Sequence, residues 1–81
     1  MQVTIKLFAI LREKAGVSTV SLDLPDGSTV TAALEKILAS HPGLNQSLAK
    51  SACALNQAYC PRSAVLKDRD ELALIPPVSG G

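Results

Sequence analysis

The sequence predicts an α+β fold in which one main helix crosses one face of a small mixed β-sheet. Segments near both ends of the chain alternate between apolar and polar residues, as strands with one buried face do. The middle of the chain instead repeats apolar residues at the spacing of an amphipathic helix. Glycine, proline and asparagine separate these segments, as expected at turns.

The first two strands are predicted in the N-terminal quarter of the chain. Residues 2–10 alternate strictly, which favours a strand with period two. The inward face of that strand is predicted to carry Val3, Ile5, Leu7 and Ala9. Residues 19–24 alternate in the same way and predict a second, antiparallel strand. We expect residues 12–16 to form a charged turn between the two strands, and residues 25–27 to form the turn that follows.

The main helix is predicted from an apolar stripe. The stripe has i, i+3, i+4, i+7, i+8 spacing and consists of Val30, Ala33, Leu34, Ile37 and Leu38. Ser28 or Thr29 can cap its N-terminus. Residues 41–43 (His-Pro-Gly) end it, and residues 44–50 favour one more short helical turn.

Three short strands complete the sheet, at residues 52–55, 58–60 and 71–75. A turn at Asn56-Gln57 places Cys53 opposite Cys60 in a hydrogen-bonded pair, in which Cα atoms lie about 5.5 Å apart. Pro61 interrupts the second of these strands, which is therefore predicted to be an edge strand. This order of elements fits a β-grasp.

Composition excludes several classes of function. The chain has 81 residues, 47% of them hydrophobic, and predicts a single domain spanning residues 1–81. A net charge of +1 without a basic cluster argues against nucleic acid. The longest purely apolar run extends only from Leu7 to Leu11, too short to cross a bilayer. With no signal peptide, the expected location is cytoplasmic.

The two cysteines are interpreted as small buried hydrophobes. A cytosolic chain normally keeps its thiols reduced. His41 is the only histidine, so no cluster of histidine and cysteine supports a metal site.

The sheet face opposite the helix is predicted to be unusually apolar. The strand registers direct six residues outward: Phe8, Ile10, Ala54, Tyr59, Ala73 and Ile75. Phe8 and Tyr59 are the only aromatic residues of the chain, and aromatic side chains are enriched in protein interfaces. We therefore predict a partner interface centred on Phe8, Tyr59 and Ile75. The alternatives are a register error of one residue, or a loop after Pro61 that covers this face.

The C-terminal segment is the strongest functional signal. It reads Pro76, Pro77, Val78, Ser79, Gly80, Gly81. A terminal glycine pair offers a thin carboxylate that can enter a slot too narrow for side chains, and it costs backbone entropy if it must be ordered. The two prolines stiffen the segment that precedes it. We expect residues 76–81 to be a flexible reactive tail with its reactive group at Gly81; the alternative is an ordinary frayed terminus.

No set of residues in the chain predicts a self-sufficient catalyst. The sequence lacks a glycine-rich phosphate loop, a G-x-S-x-G motif and a cysteine–histidine pairing. Asp68, Asp70 and Glu71 form an acidic cluster, but the neighbouring Lys67 and Arg69 indicate a solvated loop.

At this point three segments resemble a known family, the small sulfur-carrier subunit of molybdopterin synthase, a ubiquitin-like protein. They are Phe8-Ala9-x-Leu11-Arg12-Glu13, Asn56-Gln57, and the run from Asp70-Glu71-Leu72-Ala73 to the terminal Pro-Pro-Val-Ser-Gly-Gly. One departure is Arg69, where the family often has glycine; arginine has a steric cost there if the turn needs a positive φ.

The resemblance implies a carrier that acts through its terminus and supplies no catalytic side chains. An adenylyltransferase similar to ubiquitin-activating enzymes would use ATP to activate Gly81, and a sulfur donor would convert it to a thiocarboxylate. The tail, with Gly80 as a slim spacer, would then enter the large subunit of molybdopterin synthase and give sulfur to cyclic pyranopterin monophosphate. The assembly implied is a heterotetramer, and the carrier itself is expected to bind no cofactor and no metal.

Three other functions remain open from the sequence. A sulfur carrier for another pathway, such as thiamine synthesis, would use the same chemistry for a different client. A ubiquitin-like modifier would join Gly81 to lysines of target proteins. An interaction module would have an inert tail.

Overall fold

The computed structural model describes residues 1–77, and the predictions for Val78, Ser79, Gly80 and Gly81 lie outside this range. Five strands and three α-helices follow one another within residues 1–77. Their bounds are β1 Gln2–Leu7, α1 Ile10–Ala15, β2 Thr19–Asp23, α2 Val30–Ser40, α3 Asn45–Lys50, β3 Ala52–Leu55, β4 Ala58–Cys60 and β5 Glu71–Ile75. A short 3-10 turn at Pro42–Leu44 connects α2 to α3.

The strands form one mixed sheet in the order β2-β1-β5-β3-β4. The two central strands, β1 and β5, run parallel, and every other neighbouring pair is antiparallel. The C-terminal strand β5 therefore lies in the middle of the sheet. The prediction of a mixed sheet with Pro61 following an edge strand is confirmed.

Helix α2 covers one face of this sheet. Its N-cap is Thr29, whose hydroxyl accepts a hydrogen bond from the Ala32 backbone at 3.3 Å. The predicted stripe is confirmed: Val30, Ala33, Leu34 and Ile37 are buried, and Leu38 is partly buried. Four further leucines enter the same core without having been predicted there: Leu11, Leu44, Leu48 and Leu66.

The predicted extent of the first strand is wrong. β1 ends at Leu7, and the segment predicted as a charged turn is the helix α1. Leu11, completely buried, anchors this helix to the core, and Gly16 ends it in the left-handed conformation with a φ of 78°. Ala9, predicted to face inward on the strand, is exposed in the turn between β1 and α1. The run Leu7–Ile10 misled the prediction because a short apolar run fits a strand and a helix equally well.

The hairpin of β3 and β4 is confirmed in register. Asn56 and Gln57 both have positive φ, at 49° and 73°, as a two-residue hairpin turn of type I′ requires. Cys53 faces Cys60, and both thiols are free. Cys53 is buried as predicted, whereas Cys60 is only partly buried.

The loop that follows β4 packs beside α2. The backbone carbonyls of Arg62 and Ala64 accept hydrogen bonds from the first turn of α2, at 3.0 Å each. Leu66 then enters the core. The loop thus packs on the face of the sheet that α2 covers. The alternative in which the loop covers the opposite face is wrong.

Candidate functional site

Strand β5 lies in the centre of the sheet and leads directly into the C-terminal tail. Leu72 and Leu74 on its inner face have no exposed surface, so the strand is firmly held. Both flanking strands reach no further than the last two residues of β5. Leu7, the end of β1, pairs with Leu74, and Ala52, the start of β3, pairs with Ile75. Pro76 and Pro77 follow outside the sheet.

The start of β5 is fixed by a buried carboxylate. Asp70 accepts a hydrogen bond from the Lys67 backbone N–H at 2.7 Å and one from the Asn56 amide at 2.9 Å. The Asn56 side chain in turn accepts the Glu71 backbone N–H at 3.0 Å. The interpretation of Asp70 as part of a solvated loop is therefore wrong, because its carboxylate ties the hairpin turn to β5. The side chain of Asp68 remains largely exposed.

Arg69 occupies a left-handed position, with a φ of 69°. This is the conformation for which the sequence predicted a steric cost to a residue other than glycine. Its backbone N–H donates to the Gln2 carbonyl at 2.6 Å, which holds the turn against β1.

The outer face of the sheet, opposite α2, carries a row of side chains from four neighbouring strands. Register places Lys6, Ala73, Ala54 and Tyr59 side by side across β1, β5, β3 and β4. Tyr59 is 78% exposed, the highest value among the large apolar residues of the described chain. Ala54 faces outward as predicted but is buried, because its methyl group lies low between Ala73 and Tyr59 on the neighbouring strands.

Phe8 and Ile75 lie at one end of this face, where the tail leaves the sheet. Phe8 directly follows Leu7, and Ile75 directly follows its partner Leu74. The Phe8 side chain is exposed and Ile75 is half-buried. Ile10, predicted to face outward on a strand, is exposed at the start of α1 instead. Tyr59 and Ile75 therefore lie on the outer face, and Phe8 is exposed in the turn at its edge. That these three residues form a partner interface stays a prediction.

One ion pair lies on the outer face. The Lys6 ammonium is 3.0 Å from a Glu71 carboxylate oxygen, and both side chains are substantially exposed. Such pairs contribute about 0–1 kcal/mol to folding. The two charges compensate each other beside the apolar row and leave no single-sign patch there.

Ala9 adopts a strained backbone next to Phe8. Its φ of 50° and ψ of −125° match the first central residue of a type II′ turn, which the Leu11 N–H closes by donating to the Phe8 carbonyl at 3.1 Å. Glycine is the residue that normally occupies this position, and strain of this kind costs about 1–3 kcal/mol. Sequence reasoning missed it because an alanine in an alternating run carries no turn signal.

Cys53 is poorly suited to be a nucleophile. Burial raises the pKa of its thiol above the ordinary value of 9.0, an effect opposed by the nearby Arg62 guanidinium. That guanidinium also donates to the carbonyls of Leu48 at 2.7 Å and Ser51 at 3.2 Å, which fixes the end of α3. The thiol therefore stays protonated at neutral pH.

Residues 1–77 contain no group of three or more residues able to hold a metal ion. None of the helices in this part of the chain has the length and apolar character needed to cross a membrane.

The family follows from comparison with known proteins. Residues 5–81 match the model of the ThiS family. The chain belongs to the ThiS family. It is 43% identical to the molybdopterin synthase sulfur carrier subunit of Chlamydomonas reinhardtii, over an alignment that covers 100% of both chains.

Two solved structures are similar to this chain over its whole length. SAMP1 from Haloferax volcanii has a TM-score of 0.92 and 34% identity, with 100% of both chains covered. A chain in the complex of subunits 1 and 2 of the molybdopterin-converting factor from Helicobacter pylori has a TM-score of 0.71 and 30% identity, again with 100% of both covered. The predicted β-grasp is confirmed.

Proposed function

We propose that this ThiS-family chain is the sulfur carrier of molybdenum cofactor biosynthesis. The observation that carries the proposal is the exit of the tail: β5 runs through the centre of the sheet, β1 ends level with Leu74, and β3 begins level with Ile75. Pro76 and Pro77 lie outside the sheet beyond that point, which suits a tail that a partner receives. The name of the Chlamydomonas reinhardtii relative supports the assignment of the client pathway.

The tail supplies the reactive group. In the proposed sequence the Gly81 carboxylate attacks the α-phosphate of ATP on an adenylyltransferase, which gives the acyl adenylate and releases pyrophosphate. A carboxylate is a poor electrophile, whereas the acyl adenylate has a good leaving group. A sulfur donor then delivers sulfur at the oxidation level of sulfide, which displaces AMP and leaves a thiocarboxylate on Gly81.

The thiocarboxylate is the nucleophile for cyclic pyranopterin monophosphate. Its sulfur forms the new carbon–sulfur bond as the carbon–oxygen bond at the same substrate carbon breaks and the oxygen leaves. Hydrolysis of the resulting thioester then returns the Gly81 carboxylate and leaves the sulfur on the substrate as a thiol. Gly80 is the slim spacer that lets the terminus enter the partner, and Ser79, Val78, Pro77 and Pro76 form the segment behind it. Catalytic side chains and any cofactor belong to the partners.

The outer face is the proposed docking surface for the large subunit of molybdopterin synthase. Phe8 and Ile75 lie beside the tail exit, and Tyr59 extends the exposed apolar surface along the row that also contains Ala54 and Ala73. The complex of two subunits from Helicobacter pylori supports a partner of this kind. We further propose a heterotetramer in the cytoplasm, where thiols such as Cys53 and Cys60 remain reduced.

Intact-mass measurement tests the chemistry. The chain is incubated with ATP, a matching adenylyltransferase and a sulfur donor. We expect a gain equal to one oxygen replaced by sulfur, located at Gly81 by fragmentation. A variant extended by one residue beyond Gly81 should gain nothing, because the reactive carboxylate has moved. An unchanged mass, with an enzyme that activates a known carrier in parallel, contradicts the proposal.

A ubiquitin-like modifier is the second candidate. The similarity to SAMP1, a small archaeal modifier protein, is the reason to test it. It predicts isopeptide conjugates of high mass through Gly81 in cell extract. A carrier instead runs free or in one defined complex, so an immunoblot of the extract distinguishes the two.

A further inference from the structure

The turn between β1 and α1 stands at the tail exit and has a backbone that its sequence does not favour. Four residues other than glycine have positive φ among residues 1–77: Ala9, Asn56, Gln57 and Arg69. Asn56 and Gln57 form the hairpin turn, and Arg69 belongs to the loop that leads into β5. Ala9 lacks a polar side chain that could stabilise such a conformation locally.

The register of the central strands shows what this turn prevents. β1 and β5 are parallel, and Leu7 pairs with Leu74. If β1 continued as a strand, as its alternating sequence favours, Ala9 would pair with Pro76 and Ile10 with Pro77. The tail would then lie along β1 and would no longer leave the sheet freely.

The same turn sets the position of Phe8. The Phe8 carbonyl accepts the Leu11 N–H at 3.1 Å, and the Ala9 carbonyl accepts the Glu13 N–H at 3.1 Å. Phe8 is thus the last residue before the chain reverses into α1, and it lies level with Ile75. Its side chain remains exposed.

We propose that Ala9 is a positioning residue: its left-handed turn ends β1 at the tail exit and holds Phe8 beside Ile75, so that one partner can grip the outer face and receive the tail. This inference rests on the proposed function for its partner. Its structural half, the placement of Phe8, can be tested in the free protein.

Two substitutions separate the turn from the side chain. Ala9→Gly keeps the left-handed conformation at no steric cost, whereas Ala9→Val opposes it and favours an extended strand. Ala58, exposed in the edge strand β4, is the matched control position. There the order of stability should reverse, because an extended strand favours valine over glycine.

The first readout is the nuclear Overhauser effect between the Phe8 ring and the Ile75 methyl groups in the free protein. We expect it in the wild type and in Ala9→Gly, and we expect its loss in Ala9→Val. The second readout is the Kd for the large subunit, corrected for the folded fraction. Ala9→Val should bind about tenfold more weakly or worse, as expected when an interface anchor is displaced, and Ala9→Gly should bind like the wild type.

A purely structural role for Ala9 predicts a different result. Folded Ala9→Val would then keep both the Overhauser effect and the wild-type Kd, which overturns the proposal. If the wild type does not bind the large subunit, the proposed function fails, and the Overhauser effect alone decides the role of Ala9.

If Ala9→Val does not fold, D-alanine in place of Ala9 keeps the methyl group and relieves the strain. It can be introduced by joining a synthetic segment 1–52 to residues 53–81 at Cys53. We expect a higher unfolding temperature with the Overhauser effect intact. No gain in stability would show that the left-handed turn at Ala9 is wrong.

Discussion

The two ends of β5 are built in opposite ways. At its start, Asp70 and Glu71 are tied by side-chain and backbone hydrogen bonds to Asn56 in the neighbouring hairpin turn. At its end, β1 stops level with Leu74, β3 begins level with Ile75, and two prolines without N–H groups follow. One strand thus serves as an anchor at one end and as a point of release at the other.

The largest effect is expected at the middle of β5. Leu72→Ala removes a side chain with no exposed surface and leaves a cavity between the sheet and its helices. We expect a loss of about 2–5 kcal/mol in the free energy of unfolding, measured by urea denaturation. Tyr59→Ala, on the opposite face, should change this energy by no more than about 0.5 kcal/mol. A loss below about 1 kcal/mol for Leu72→Ala would contradict the anchoring of β5 by its inner face.

The anchor at the start of β5 is the next target. Asp70→Asn keeps the size of the side chain, but it replaces one of the two carboxylate acceptors with a donor. The N–H of Lys67 or the amide of Asn56 then loses its partner, and we expect a cost of about 1–3 kcal/mol.

Asp68→Asn provides the matched control for that change. Asp68 accepts the Gln2 N–H at 2.8 Å through one oxygen, an acceptor that asparagine retains, and its side chain is largely exposed. The control should remain within about 0.5 kcal/mol of the wild type. Equal losses in the free energy of unfolding of the two variants would mean that the buried carboxylate of Asp70 contributes no more to stability than the exposed carboxylate of Asp68.

Leu74 and Ile75, at the release end of β5, lie on opposite faces of the sheet. Substitutions at these two positions should therefore separate an effect on stability from an effect on binding. Ile75→Ala should weaken binding to the large subunit about tenfold, because Ile75 lies on the proposed docking surface. Leu74→Ala removes a completely buried side chain and should mainly lower the free energy of unfolding. Isothermal titration and urea denaturation of both variants measure the two effects. If Ile75→Ala binds like the wild type, the tail exit is not part of the interface.

Sequence alone predicted the regular parts of this architecture. The bounds of β3, β4 and β5 and the cysteine pair followed from alternation and from a turn at Asn56-Gln57. The apolar stripe of α2 was predictable because its i, i+3, i+4, i+7, i+8 spacing places all of its residues on one face of a helix. These features were predictable because local pattern and tertiary packing agree there.

The errors fall where tertiary contacts override the local pattern. Nothing in residues 7–10 shows that the chain reverses at Ala9, because the turn depends on Leu11 being buried against the core. The role of Asp70 depends on Asn56, which is distant in sequence. The outer face was predicted in register, but the burial of Ala54 depends on the size of its neighbours on adjacent strands.

The smallest expected effect concerns Cys53, which pairs with Leu74 near the release end. Burial raises the pKa of its thiol above 9.0, so the folded state disfavours the thiolate. The resulting stabilisation is complete below 9.0 and is lost as the pH rises through the higher pKa of the folded state. From pH 7 to about pH 10, the free energy of unfolding should therefore fall more in the wild type than in Cys53→Ala. Urea denaturation at both pH values measures the difference, and parallel pH profiles would mean that the thiol is not sheltered from water.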